Sequence, residues 1–315
     1  METGTETRTA AVDGRVVHAL CVVGAGAMGH QIAMLGALAG CRTSVVDVRA
    51  EALDTARSSV RAHAERWTQH NRLTEAQAAD ALARLRWSTS LADGAAEADF
   101  VIEAVVERLD EKQAVFRALD RLAPAHAILA TNSSTIRASL LASVTARPDR
   151  VCNMHFFNPP LVIELVEVGM SPQTSETTAA TAMQLARRMR RTPVLLRKEI
   201  SGFLVNRILA ALVDEAVRLY EGGIASFEDI DIAVKKGLGH PMGPFELMDF
   251  VGIDVAHDVR MQRFQETGDP AQRPARSVTD KCERGEFGRK TGKGWYTYPS
   301  PSAGATRRDG ADGGE

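Results

Sequence analysis

A chain of 315 residues with 44% hydrophobic and 25% charged side chains is long enough for about two globular domains of ~150 residues each. Its 38 basic and 40 acidic residues leave a formal charge of -2, without the basic excess that nucleic acid or an acidic membrane surface would require. Cys21, Cys41, Cys152 and Cys282 form no CxxC pair, so no metal or redox motif is expected, and a reducing, cytoplasmic setting is.

Residues 1–15 carry no apolar signal core, and residues 300–315 are Pro, Gly, Ser and charge; both read as disordered tails. No run reaches the ~18 apolar residues of a membrane span. RVVHALCVVG then reads as a buried strand, AMGHQIAMLGALAG as a tightly packed helix ending at Gly40, and TSVVDV as a second strand. AEALDTARSSVRAHAERW has helical spacing, and a further helix starts at Thr74, whose hydroxyl forms a capping box with Gln77. Strand DFVIEAVV, helix DEKQAVFRALDRLA stopped by Pro124, and strand AILAT continue the alternation. This pattern predicts a mostly parallel sheet covered by helices.

Gly24, Gly26 and Gly29 form GxGxxG between the first strand and the first helix, with Ala27 and Met28 inside the turn. Missing side chains allow a tight turn and close approach of a pyrophosphate, while the helix N-terminus supplies N–H groups to the phosphates. Asp47 closes the second strand ~20 residues on, where a carboxylate accepts from the adenosine ribose and repels a 2′-phosphate. NAD is therefore expected over NADP, although Arg49 softens the preference. The bland alternative is packing glycines and an acid that begins the next turn.

ATNSSTI, from Ala130 to Ile136, places hydroxyls and the Asn132 amide at the expected C-terminal edge of the sheet; helix capping is the competing reading. VCNMHFFNPP then sets His155 at a strand end, before residues that stop strand and helix alike. Hydride transfer from an alcohol needs a base for the hydroxyl proton, and imidazole suits that task near neutrality. In LVIELVEV, alternation puts Glu167 on the face of Ile163 and Leu165, and Glu164 on the opposite face. A hairpin between the two strands would bring a glutamate to the imidazole, but the pattern does not choose between Glu167 and Glu164.

After LLRKEIS the pattern becomes helical: a long helix carrying Asn206 and ending at Gly222 and Gly223, another capped at Ser226, and no convincing strands. The boundaries read as an α/β domain over 16–200 and an all-helical domain over 201–299.

With these residues laid out, the chain resembles the L-3-hydroxyacyl-CoA dehydrogenase family, especially the short bacterial 3-hydroxybutyryl-CoA dehydrogenases, from about Val16 to Tyr298. The resemblance rests on VVGAGAMGHQIA, VIEAVVE, ILATNSST, NMHFFNPP with ELVEV, GFLVNRIL, GHPMGPFELMDFVGID and FGRKTGKGWYTY. It implies a Rossmann-type NAD-binding domain, a helical domain that dimerises, and NAD-dependent oxidation of a short-chain (S)-3-hydroxyacyl-CoA, or the reverse, as in fatty acid metabolism. It further implies His155 as general base, Glu167 as the carboxylate that holds it, Ser134 on the reacting oxygen and Asn206 near the substrate carbonyl. Glu107 and Lys112 fall where relatives contact the nicotinamide part of the cofactor, and Asn132 completes the expected cofactor-binding set. Ser201 stands where many relatives have proline, and Glu164 replaces a common lysine or neutral residue. Where relatives carry lysines that meet CoA phosphates, TQHNRL offers only Arg72. That departure leaves room for a carrier-protein thioester, as in polyketide precursor supply. A redox-inactive dinucleotide-binding protein is the alternative from another class.

Overall fold

The computed structural model describes residues 14–299, in which the chain divides after Leu204 into two compact units. The expected disorder of residues 1–13 and 300–315 falls outside the described residues. Gly14 and Arg15 lie against the first unit, where the Arg15 N–H donates to Thr181 Oγ1 at 3.0 Å.

The first unit alternates strand and helix: β1 (Ala19–Val23), α1 (Gly29–Leu38), β2 (Arg42–Val46), α2 (Ala50–Gln69), α3 (Glu75–Ala83), β3 (Leu85–Ser88), α4 (Leu91–Ala95), β4 (Phe100–Glu103), α5 (Leu109–Leu122), β5 (Ile128–Thr131), α6 (Ala138–Ala142), β6 (Val151–Phe156), β7 (Leu165–Met170), α7 (Glu176–Arg188) and β8 (Thr192–Leu196). They build one eight-stranded sheet of order β3-β2-β1-β4-β5-β6-β7-β8. Every neighbouring pair is parallel except β6 and β7, which are antiparallel. The central strands are buried on both faces, which is why β1, β4 and β5 read as mostly apolar runs. The capping box closes as expected: Thr74 Oγ1 accepts from the Gln77 N–H and Gln77 Oε1 from the Thr74 N–H.

Two strands go unseen in the sequence, and both are sheet edges. β3 buries only Leu85, and β8 contains Pro193, so neither shows the apolar run of a central strand. The strand expected from Leu161 begins only at Leu165. The amides of Val162 and Ile163 turn back onto the Pro159 carbonyl, so Glu164 lies before the strand rather than on its opposite face.

The second unit is helical: α8 (Val205–Glu221), α9 (Phe227–Leu238), α10 (Pro244–Val251), α11 (Ile253–Thr267) and α12 (Arg276–Glu283). Ser226 caps α9, accepting from the Asp229 N–H at 3.1 Å. Tyr220, Phe227, Phe245 and Trp295 pack as mutually tilted and edge-on rings around its core. Two buried aspartates tie the segments together. Asp231 accepts from the Phe245 and Glu246 amides at the start of α10 and from the Tyr296 hydroxyl. Asp249 accepts from the Trp295 and Tyr296 amides and the Tyr298 hydroxyl.

Candidate active site

The strand order brings the C-terminal ends of β1, β4, β5 and β6 side by side, and the residues singled out in the sequence line these ends in the same order. At the end of β1, Gly24 adopts a φ of 103°, and a Cβ there would strike the Ala104 carbonyl. A Cβ on Gly29 would collide with the Gly24 carbonyl, whereas one on Gly26 would project into open space. That space is a cradle beside the first turn of α1, the end at which a helix leaves amides without intrahelical acceptors.

Asp47 follows β2 with its side chain only 12% exposed. One carboxylate oxygen accepts from the Ala25 N–H at 2.9 Å and the other from the Arg49 N–H at 3.0 Å. The acid thus braces the glycine turn as well as the residues that follow it. The glycine cradle, the helix start and this carboxylate form a surface that fits a dinucleotide. The expected result for Asp47→Ala is at least a ~10-fold loss of the NADH-over-NADPH preference, because a fixed carboxylate no longer repels the 2′-phosphate. Measuring both dissociation constants by cofactor fluorescence checks it, and an unchanged preference would remove Asp47 as the discriminating residue.

At the end of β6, His155 lies directly opposite Glu167 in the antiparallel register with β7. Its Nδ1 is 2.9 Å from Glu167 Oε2, and its Nε2 is 3.1 Å from Ser134 Oγ. An ionised carboxylate only accepts, so Glu167 fixes the Nδ1–H tautomer and leaves the Nε2 lone pair facing Ser134. Glu167 is fully buried, and its other oxygen accepts from the Leu204 N–H at 2.9 Å. Glu164 is exposed, and the register pairs His155 with Glu167 instead. The ring is clasped by Phe157 at 4.6 Å and by Phe203, stacked nearly parallel to it, at 5.1 Å. Phe203 holds a positive φ of 47° immediately after Gly202 at 78°, a backbone state that a bulky residue keeps only when its surroundings demand it.

The β5 loop supplies the rest. Asn132 Oδ1 accepts from the Phe156 N–H at 2.9 Å, so this amide braces the tip of β6. One oxygen of Glu107 accepts from the Ser133 hydroxyl, the Ser134 amide and both the amide and the hydroxyl of Thr135. Its other oxygen is 3.2 Å from Lys112 Nζ. Lys112 is almost wholly buried and donates at 2.7 Å to Glu103, which the sequence reading passed over. The only local signal was an acid within the apolar run of VIEAVVE. Asn206 lies in the first turn of α8 in the second unit, where it lines an apolar groove with Leu209, Val213 and Val251. Arg72 shares a cavity of about 500 Å³ with Arg84, Arg188, Arg190 and Arg191 and with the acids Asp80 and Glu164.

Comparison with known proteins gives this geometry its setting. The model of the 3-hydroxyacyl-CoA dehydrogenase NAD binding domain matches residues 19–200, and that of the 3-hydroxyacyl-CoA dehydrogenase C-terminal domain matches residues 202–298. The chain belongs to the 3-hydroxyacyl-CoA dehydrogenase family. This dehydrogenase is 37% identical over 279 residues to a probable 3-hydroxybutyryl-CoA dehydrogenase of Bacillus subtilis, across 89% of this chain and 96% of that one. It is 36% identical over 298 residues to the mitochondrial hydroxyacyl-coenzyme A dehydrogenase of Homo sapiens, across 93% and 95% of the two chains. Among solved structures, the (S)-3-hydroxybutyryl-CoA dehydrogenase of Ralstonia eutropha aligns with a TM-score of 0.84 at 39% identity, covering 90% of this chain and all of that one. The dehydrogenase is an NAD-dependent oxidoreductase.

Proposed function

We propose that this dehydrogenase interconverts short-chain (S)-3-hydroxyacyl-CoA and 3-ketoacyl-CoA, with 3-hydroxybutyryl-CoA as the type substrate and His155 as the general base. The observation that carries the reading is the Glu167–His155–Ser134 line, with contacts of 2.9 and 3.1 Å. Bound NAD+ supplies the hydride acceptor. His155 Nε2 takes the 3-hydroxyl proton, Glu167 stabilises the resulting imidazolium, and the Ser134 hydroxyl orients the reacting oxygen. In the reducing direction the imidazolium returns the proton to the ketone oxygen. Burial of the His155–Glu167 pair keeps water from competing for the imidazole, since both side chains are at most 4% exposed. Glu107 and Lys112 serve the nicotinamide end, and Asn206 serves the thioester carbonyl.

Support for CoA as carrier comes from the named relatives and from the arginines gathered around the cavity that includes Arg72. A homodimer through the helical unit is proposed on the exposed apolar side chains of Ile208, Phe250, Val251, Val255 and Val259. A cytoplasmic location is proposed on the free state of all four cysteines. No helix among the described residues is long and apolar enough to cross a membrane.

The deciding assay is NADH oxidation at neutral pH with acetoacetyl-CoA beside the same acyl group on a carrier protein. Turnover of the CoA ester is expected to be the faster by ~10-fold or more, because a carrier protein must also bury a specific surface to bind. Turnover on the carrier protein alone would reassign the substrate, and silence on both would overturn the short-chain reading.

A further inference from the structure

Three charged side chains are packed at the end of β4, between the glycine turn after β1 and the Ser134 loop after β5. Glu103, fully buried, receives the Lys112 ammonium and the Val105 N–H on one oxygen, each at 2.7 Å, and the Thr131 hydroxyl on the other at 2.7 Å. Lys112 also reaches Glu107 at 3.2 Å, and Glu107 is the member that faces outward, with its side chain 41% exposed. Two carboxylates therefore share one ammonium.

The strand order fixes what passes over this cluster. A dinucleotide whose phosphates lie in the Gly26 cradle at β1, and whose reacting ring must reach His155 at β6, has to cross the ends of β4 and β5. The nicotinamide ring is a cation in NAD+ and neutral in NADH. A fixed charge on its path discriminates between the two oxidation states.

We infer that Glu103 is a charge-setting residue: with Lys112 and Glu107 it forms a cluster of net charge -1 beside the nicotinamide end, which favours NAD+ over NADH and shifts the redox poise of the bound cofactor. This rests on the proposed placement of the nicotinamide beside Glu107. If Glu103 were absent or neutral, Lys112 and Glu107 would cancel and the cluster would no longer add to that bias. The three partners of Glu103 all donate to it, the pattern that an ionised carboxylate satisfies. Burial pushes the Glu103 carboxyl up, and the Lys112 charge opposes that push most strongly. Burial would also raise Glu107, but the Ser133 hydroxyl and then the Lys112 charge hold it below the ordinary carboxylate range.

The test compares dissociation constants for NAD+ and NADH, by calorimetry and by NADH fluorescence, in wild type, Glu103→Gln and the double variant Glu103→Gln/Lys112→Met at pH 8. Glu103→Gln should raise the Kd(NAD+)/Kd(NADH) ratio about 10-fold, the scale of one unit charge acting over roughly 10 Å at an effective dielectric near 20. The double variant leaves Glu107 as the one charge of the cluster and should return the ratio towards wild type, which a purely structural role for Glu103 would not produce. Should circular dichroism show that Glu103→Gln does not fold, Glu107→Gln, on the solvent side of the cluster, carries the same test and should shift the ratio in the same direction. Equal loss of both affinities overturns the charge-setting role while leaving the placement of Glu107 intact. Wild-type affinities for both cofactors in Glu107→Gln would instead show that the placement itself is wrong.

Discussion

Replacing His155 with Gln is expected to lower kcat with acetoacetyl-CoA and NADH by ~10² to 10⁴, the scale of a lost acid–base group, while the NADH dissociation constant stays within about twofold. Glutamine keeps a polar end group of similar reach and can donate to Glu167, so the fully buried carboxylate is not left without a donor. What it lacks is a nitrogen lone pair that can take the hydroxyl proton. Glu167→Gln should cost less than the His155 change, because the Leu204 N–H still finds an acceptor and the imidazole remains. It loses the charge that stabilises the imidazolium and the acceptor that fixes the tautomer. Stopped-flow NADH oxidation separates the chemical step from binding, and a kcat for His155→Gln within threefold of wild type would exclude the imidazole as the base.

The same elements mark where the sequence is legible and where it is not. GxGxxG, the acid after β2 and the histidine before Phe-Phe-Asn-Pro-Pro are local words, each written within one strand and its following turn. The choice of Glu167 over Glu164 was open on alternation alone, because the alternating register assumed a strand from Leu161. The turn onto the Pro159 carbonyl delays β7 to Leu165, and only the paired register puts Glu167 opposite His155. Glu103 was illegible for a different reason. Its partners come from Lys112 on α5 and Thr131 on β5, 9 and 28 residues away, and a buried ion pair across elements leaves no periodic trace. Phe203 was equally hidden, since stacking on an imidazole from a left-handed turn depends on where the chain returns after β8. Strands β3 and β8 escaped because edge strands need neither continuous burial nor freedom from proline.

In the helical unit, Asp249→Ala is expected to destabilise the fold by about 3 kcal/mol or more, comparable with loss of a large core side chain. The segment GWYTY has no helix or strand ladder to hold it. Beside the Tyr296 hydroxyl bond to Asp231 and the Tyr298 amide bond to Gly292, its main anchor is one carboxylate that collects the Trp295 and Tyr296 amides, each at 2.8 Å, and the Tyr298 hydroxyl at 3.0 Å. Asp249 is 1% exposed, so alanine leaves these donors facing a cavity, and each unsatisfied buried donor costs ~1–3 kcal/mol. A Cβ on Gly294 or Gly288 would run into Asp249, so the chain has given up side chains at both positions to let this loop close over the acid. Trp295 then seats its ring against Phe245 at 4.5 Å and Tyr220 at 5.1 Å. Losing the anchor should therefore loosen the aromatic core as well as the loop. Asp249→Asn should fall between wild type and alanine, because one oxygen survives while the new amide donors face existing donors. Asp258→Ala, at a side chain 79% exposed, serves as the control and should change stability by no more than about 0.5 kcal/mol. Urea unfolding followed by tryptophan fluorescence reads the difference, with Trp295 reporting on the helical unit and Trp67 and Trp87 on the first. An Asp249→Ala protein as stable as the Asp258→Ala control would mean that packing alone holds the segment in place.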